Sequence, residues 1–258
     1  MQSLTSLTLL SNKVKNIEKY SFSDLGNLVE LILYDNQIEV IETETFSGLH
    51  SIIALVLEYN QISKIEYNSF GGFKKLTKLW LNNNLIKKIE VKTFLGMHSL
   101  KELLLMNNLI EKIDENSFDD LVNLETIDIS YNNLTEIKKD LFAKLNKIKG
   151  FNLSNNKLTT VNDSTLFENK TNINYIDFSA NNLGLVDANV FRNLSSLVHL
   201  SLMSNRLVKL DYNLIQGCDL MQNFCLYGNK FPPNYTLNYT GLNDLKDKRI
   251  FTVDCFAL

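Results

Sequence analysis

The residues able to do acid–base, nucleophilic or metal chemistry are few in this chain, and they do not converge. Its three histidines are His50, His98 and His199. A general base needs a nucleophile or carboxylate within hydrogen-bond reach, and a metal needs several ligands on one side. His50 and His98 instead occupy equivalent loop positions two sequence periods apart, and His199 lies on a different surface. Asp128 and Asp177 share a face but stand two strands apart, about 10 Å by strand spacing, too loose for a working carboxylate pair. No phosphate-binding glycine loop or metal-ligand spacing occurs. We therefore expect no catalytic residue, no metal site and no cofactor, and a non-enzymatic protein.

Composition narrows the partners. The 258 residues are 45% hydrophobic and 21% charged, with a formal net charge of −3, enough to bury a large core. Lysines and acids are interleaved without a basic face, so no nucleic-acid partner is expected. No apolar run approaches the roughly 20 residues that span a bilayer, so a membrane enters only through flanking sequence. The N-terminus, MQSLTSLTLLSNK, has neither the basic start nor the apolar block of a signal peptide. The only prolines are Pro232 and Pro233, and the cysteines are Cys218, Cys225 and Cys255.

These residues are positioned by a repeat. Asn12, Asn36, Asn60, Asn84, Asn108, Asn132 and Asn156 follow each other at 24 residues; after one step of 25 come Asn181, Asn205 and Asn229 at 24 again. Each ends a leucine-x-x-leucine-x-leucine-x-x-asparagine pattern, as in LVELILYDN (28–36), LTKLWLNNN (76–84) and LVHLSLMSN (197–205). A phenylalanine follows ten residues on (Phe22, Phe46, Phe70, Phe94, Phe118, Phe142, Phe191), displaced to Phe167 where the extra residue enters. One such unit cannot bury its apolar edge alone, so units stack and share a core. The leucine-x-leucine segment is predicted as a short strand. The asparagine amide is predicted to bond backbone groups of its own and the adjacent coil, and the phenylalanines to form a second, outer apolar row.

This pattern is identified as the leucine-rich repeat, and its 24-residue length resembles the typical extracellular subclass found in Toll and Slit-type ectodomains and insect leucine-rich immune proteins. The resemblance implies an α/β repeat solenoid, a horseshoe with a concave parallel β-sheet and a convex side of loops, 3₁₀ turns and short helical pieces. It also implies a secreted or cell-surface location. Ten repeats are predicted over 1–231 and a C-terminal capping segment over 232–258. Repeat one begins at Leu4 with no cysteine-bearing cap before it, so a fragment is expected. The resemblance to insect immune proteins implies a disulfide joining a cysteine just after the last asparagine to a later one. Prolines hold that early position here, and Cys225, seven residues before Pro232, is read as the substitute that the resemblance would pair with Cys255. Cys218 takes a leucine slot and is read as a buried thiol. The terminal CFAL fits a prenylation pattern, but that cytosolic modification conflicts with the extracellular class.

Sequons occur at Asn133, Asn152, Asn162, Asn169, Asn193, Asn234 and Asn238. Glycans are expected at Asn162, Asn169 and Asn193 on outer or edge loops, with Asn152, inside the sheet, left bare.

The middle residue of each leucine-x-leucine projects from the concave sheet. In repeats two to five these are Ile32, Val56, Trp80 and Leu104; in repeats six to nine they are Asp128, Asn152, Asp177 and Ser201. The first four make an apolar stripe about 15 Å long, widened by Tyr34, Tyr59 and Met106, with Glu30, Glu58, Lys78, Asn82 and Glu102 as a polar rim. A protein or peptide ligand on this concave face is the expected partner, possible uses being innate immune recognition or a receptor or adhesion ectodomain. An intracellular adaptor is the remaining alternative, and a homodimer contact is a second use for the stripe.

Overall fold

The computed structural model describes residues 3–211 and 213–233. Ten three-residue strands form one parallel sheet, running in sequence order from Ser6–Thr8 to Asn223–Cys225. Register is strict: Ile32 pairs with Val56, Val56 with Trp80, Trp80 with Leu104, and Leu104 with Asp128. We number the coils 1–10 by these strands. A central strand buries its leucines between neighbours on both sides, so Leu79, Leu81, Leu103 and Leu105 are 0% exposed. Coil 1 stacks on coil 2 alone among the described residues, and its Leu4, Leu7 and Leu9 are only partly buried.

The asparagine of each interior coil closes the turn after the strand. Asn84 is 4% exposed; its Nδ2 donates to the carbonyls of Leu81 (3.0 Å), Asn82 (3.2 Å) and Leu57 in the preceding coil (2.9 Å). Its Oδ1 accepts from the Ile62 amide at 2.9 Å. The same arrangement recurs at Asn60, Asn108, Asn132, Asn156, Asn181 and Asn205. Backbone groups that have left the strand ladder are thereby paired inside the core, as predicted. The residue before each asparagine takes the left-handed conformation, including Tyr59 (φ 53°) and Tyr131 (φ 53°).

On the convex side the phenylalanines stack in file. Successive centroids from Phe22 to Phe191 lie 5.9–6.5 Å apart, all stacked. The expected short helices are not there: among the described residues this side consists of turns, closed by isolated three-residue bonds such as Leu25 N–H to Phe22 C=O at 3.0 Å. With so few residues per coil, the chain must reverse before a second helical bond can form. Three two-stranded pairings, the first joining Val40–Ile41 to Lys64–Ile65, tie some coils a second time.

These turns are of two kinds. In coils 1–6 the residue two before the phenylalanine is left-handed: Tyr20, Glu44, Asn68, Lys92, Asn116 and Asp140, all with φ between 58° and 68°. From coil 7 the left-handed residue lies two after the outer apolar residue instead, at Asn169, Asn193 and Gly217. (Gly48 and Gly96 add a left-handed residue there in coils 2 and 4.) The later coils share a local device. Asp163, Asp187 and Asp211 each use Oδ1 to accept the amide two residues on, at 2.8–2.9 Å. This side-chain turn is what Asp supplies at a loop start. The change coincides with the single 25-residue step.

Candidate functional site on the concave face

The sheet brings Ile32, Val56, Trp80 and Leu104 into one row across four adjacent strands. Their surroundings refine the expected picture. Val56 is only 8% exposed, because its short side chain stands between the longer Ile32 and Trp80. It supports the surface more than it presents one. Trp80 is half-buried, its Nε1–H donates to Glu102 Oε1 at 3.2 Å, and Lys78 Nζ lies 5.8 Å from its ring. The indole's polar edge is thus satisfied within the protein while its apolar face stays accessible. Ile32, Tyr34, Leu104 and Met106 are likewise half-buried.

Tyr59 does not share the row of Tyr34 and Met106. It sits one residue later, in the left-handed turn, 50% exposed, with its ring 5.0 Å from that of Tyr34. The two tyrosines therefore form a wall at the edge of the stripe. Asn82 is not a rim residue either. It is 6% exposed, donating to Glu58 Oε1 (2.8 Å) and accepting the Met106 amide (2.9 Å), so it stitches three coils together.

The other half of the face is polar and internally bonded. Asp128 Oδ1 accepts the amide (2.8 Å) and hydroxyl (2.6 Å) of Ser130, and its Oδ2 accepts from Asn152 (3.0 Å). Asn152 Oδ1 receives Ser154 in the same way. Asp177 takes the Ser179 amide (2.7 Å) and the Tyr175 hydroxyl (3.2 Å). His199 stacks on Tyr175, ring centres 4.9 Å apart and 10° from parallel. Burial holds the His199 pKa below its usual value, with Asp177 opposing, while burial and Asp177 raise that of Tyr175. This His–Tyr–Asp grouping was missed by sequence reading, since the three residues come from two strands and only the register joins them.

Charge is uneven over the fold. The three outward positions of each coil hold the carboxylates Glu30, Glu58, Glu102, Asp128 and Asp177, against one lysine, Lys78. None of these five carboxylates is ion-paired among the described residues. Each accepts a neutral donor: the Ser6 hydroxyl, Asn82, Trp80, the Ser130 and Asn152 groups, and the Ser179 and Tyr175 groups respectively. The ion pairs among the described residues all lie elsewhere, at Glu66, Glu90, Asp114, Glu125 and Glu136. Lys101 and Lys149 share Glu125 at the rim, and Lys88 and Lys112 share Asp114, holding both carboxyl pKa values below the usual range.

The predicted modification sites lie away from this face. Asn162, Asn169 and Asn193 are exposed, and Asn169 and Asn193 line a convex cleft of about 550 Å³ together with Arg192 and the buried Lys170. Burial lowers the Lys170 pKa, and its Nζ donates to the Ala143 carbonyl at 3.2 Å. Asn152, by contrast, has its Nδ2 engaged with Asp128. Cys218 is a free buried thiol, its Sγ donating to the Phe191 carbonyl at 3.2 Å, and burial pushes its pKa up to about 12. Cys225 is a buried disulfide cysteine. Its expected partner Cys255, and the capping segment from 234 onward, lie outside the described residues.

A leucine rich repeat model matches residues 2–62, 26–86 and 74–134, and a BspA-type leucine rich repeat model of six copies matches 111–231. No curated protein matches the chain. Among solved structures it resembles a leucine-rich repeat protein of Leptospira interrogans (24% identity, TM-score 0.78, 90% of this chain and 57% of that one). It also resembles TLR13 in complex with ssRNA13 (23%, 0.63, 89% and 44%). A third is Toll of Drosophila in its complex with Spatzle (24%, 0.65, 80% and 31%). The chain thus spans less than two thirds of each of these neighbours. With family matches running through the repeats and the parallel solenoid they specify, the chain belongs to the leucine-rich repeat family, an interaction scaffold of stacked coils.

Proposed function

We propose that this chain is an extracellular or cell-surface recognition module that holds a protein or peptide partner on its concave face, with innate immune recognition as its setting. The contact residues are Ile32, Tyr34, Trp80, Leu104 and Met106, with Tyr59 on the rim and Val56 beneath. One observation carries the reading: three half-buried apolar side chains, Ile32, Trp80 and Leu104, share a row on four adjacent strands, beside a wall of two tyrosines. Aromatic residues in an apolar centre with a polar edge are typical of protein interfaces. The TLR13 neighbour is solved with single-stranded RNA. Here five unpaired carboxylates face the concavity, which disfavours a phosphate backbone and supports a protein ligand. Glycans on Asn162, Asn169 and Asn193 and a Cys225–Cys255 disulfide complete the extracellular reading. A second reading, a portion of a larger receptor or adhesion ectodomain, is favoured by the 31% share of the Toll chain that this chain covers.

The test compares wild-type protein with Trp80→Ala/Leu104→Ala, each immobilised and exposed to extracellular fluid of the source organism. Proteins retained by the wild type are expected to be lost from the variant, while unfolding free energies differ by about 1 kcal/mol or less. Equal retention by both removes the concave face from recognition.

A further inference from the structure

The whole chain carries a net charge of −3, yet its concave positions alone carry five carboxylates and one lysine. The concavity is thus more acidic than the molecule, and the remaining surface is close to neutral. Lysines are not scarce: they neutralise Glu66, Asp114, Glu125 and Glu136 outside the concavity. The inner carboxylates are fixed instead by hydroxyl, amide and indole donors. Such donors orient a carboxylate without removing its charge, and they leave acceptor capacity on its other lone pairs. A set of oriented, un-neutralised carboxylates on one face costs little further ordering when a cation arrives.

Resting on the concave-face reading, we propose that the partner presents an extended, cationic and amphipathic segment of polypeptide. Its apolar side chains lie over Ile32, Trp80 and Leu104, and its Lys or Arg side chains meet Glu58, Glu102, Asp128 and Asp177. Size fits this occupant. From Ile32 to Asp177 the register counts six strand steps, about 29 Å at the usual spacing, which an extended peptide covers in roughly nine residues. The distribution also gives it a polarity. Apolar and charged groups mix over coils 2–5, whereas coils 6–8 offer Asp128, Asp177 and neutral polar groups beside the Tyr175 ring, so the end over coils 6–8 is the more cationic one.

The probe is a fluorescent peptide of about 12 residues, with Trp and Leu alternating with Lys and Arg in one half and only Lys and Arg, spaced by Ser, in the other, read by anisotropy. Its control replaces every Lys and Arg by Glu. The cationic peptide is expected to bind wild-type protein at least about tenfold more tightly than the control at low salt, and to lose that advantage at high salt. Glu58→Gln with Asp177→Asn removes two charges while keeping acceptor oxygens for Asn82 and Ser179. It is expected to weaken the cationic peptide about threefold to tenfold without moving the melting temperature. Equal binding of the two peptides to wild-type protein overturns the inference, as does no binding of the cationic one; neither result depends on how a variant folds. If Trp80→Ala/Leu104→Ala abolishes peptide binding while the charge variant changes nothing, the charge inference alone fails. If peptide binding survives Trp80→Ala/Leu104→Ala, the concave-face reading fails with it.

Discussion

At the residue scale, the same side chain does different work according to its neighbours. Asn84 makes four buried hydrogen bonds, whereas Asn12, at the exposed first coil, donates to two carbonyls of its own turn. Asn84→Ala leaves the Ile62 amide without its acceptor in the core and removes one of two donors from each of the Leu57, Leu81 and Asn82 carbonyls. It is expected to cost about 2–4 kcal/mol by denaturant unfolding, against about 1 kcal/mol or less for Asn12→Ala. His199 gives a pH test. Burial lowers its folded pKa beneath the ordinary 6.5, so the unfolded chain binds a proton that the folded chain refuses. Its stabilisation is therefore complete above pH 6.5 and shrinks as pH falls through that value toward the folded pKa. An NMR titration should place the midpoint below 6.5, and His199→Gln should flatten the stability profile over that window. The repeat residues were legible in sequence because spacing alone defines them. What Trp80, Asn82 and Tyr59 do was less legible. Hydrogen bonds to the next coil and a single left-handed turn decide their roles, and neither leaves a periodic trace.

At the element scale, stability runs sideways between coils. Phe94 stacks on Phe70 at 6.3 Å and on Phe118 at 6.0 Å, and is 1% exposed. Among the described residues Phe22 has a ring partner on one side only, and it is 6% exposed. Phe94→Ala should cost about 3–5 kcal/mol, and Phe22→Ala clearly less, in parallel denaturation curves. A similar loss at both positions would show that within-coil packing, and not the file of rings, sets the energy. The parallel sheet and this file were predictable from the sequence, because each recurs at a fixed offset from the asparagine. The convex conformation was not. Turn and short helix share composition at this length, and the length of the coil selects the turn.

At the scale of the whole molecule, the concave face combines an apolar half with an acidic and neutral polar half, and the exposed sequons Asn162, Asn169 and Asn193 lie elsewhere. Expression through a secretory pathway should place glycans on Asn162, Asn169 and Asn193 and leave Asn152 bare, as site-resolved mass spectrometry would show. A fully glycosylated Asn152 would mean that its bond to Asp128 forms too late to protect it. The relocation of the left-handed residue across the phenylalanine, between coil 6 and coil 7, has a consequence for how such an array can grow. A coil copied within 1–6, or within 7–9, meets neighbours whose outer turns follow its own pattern. Apart from coils 2 and 4, which have a left-handed residue on both sides of the ring, a coil moved from one block to the other would carry its left-handed residue to the opposite side of the ring from its new neighbours. Duplicating a coil inside either block is therefore expected to preserve cooperative unfolding better than transplanting one across the join, as denaturation of the two variants would show.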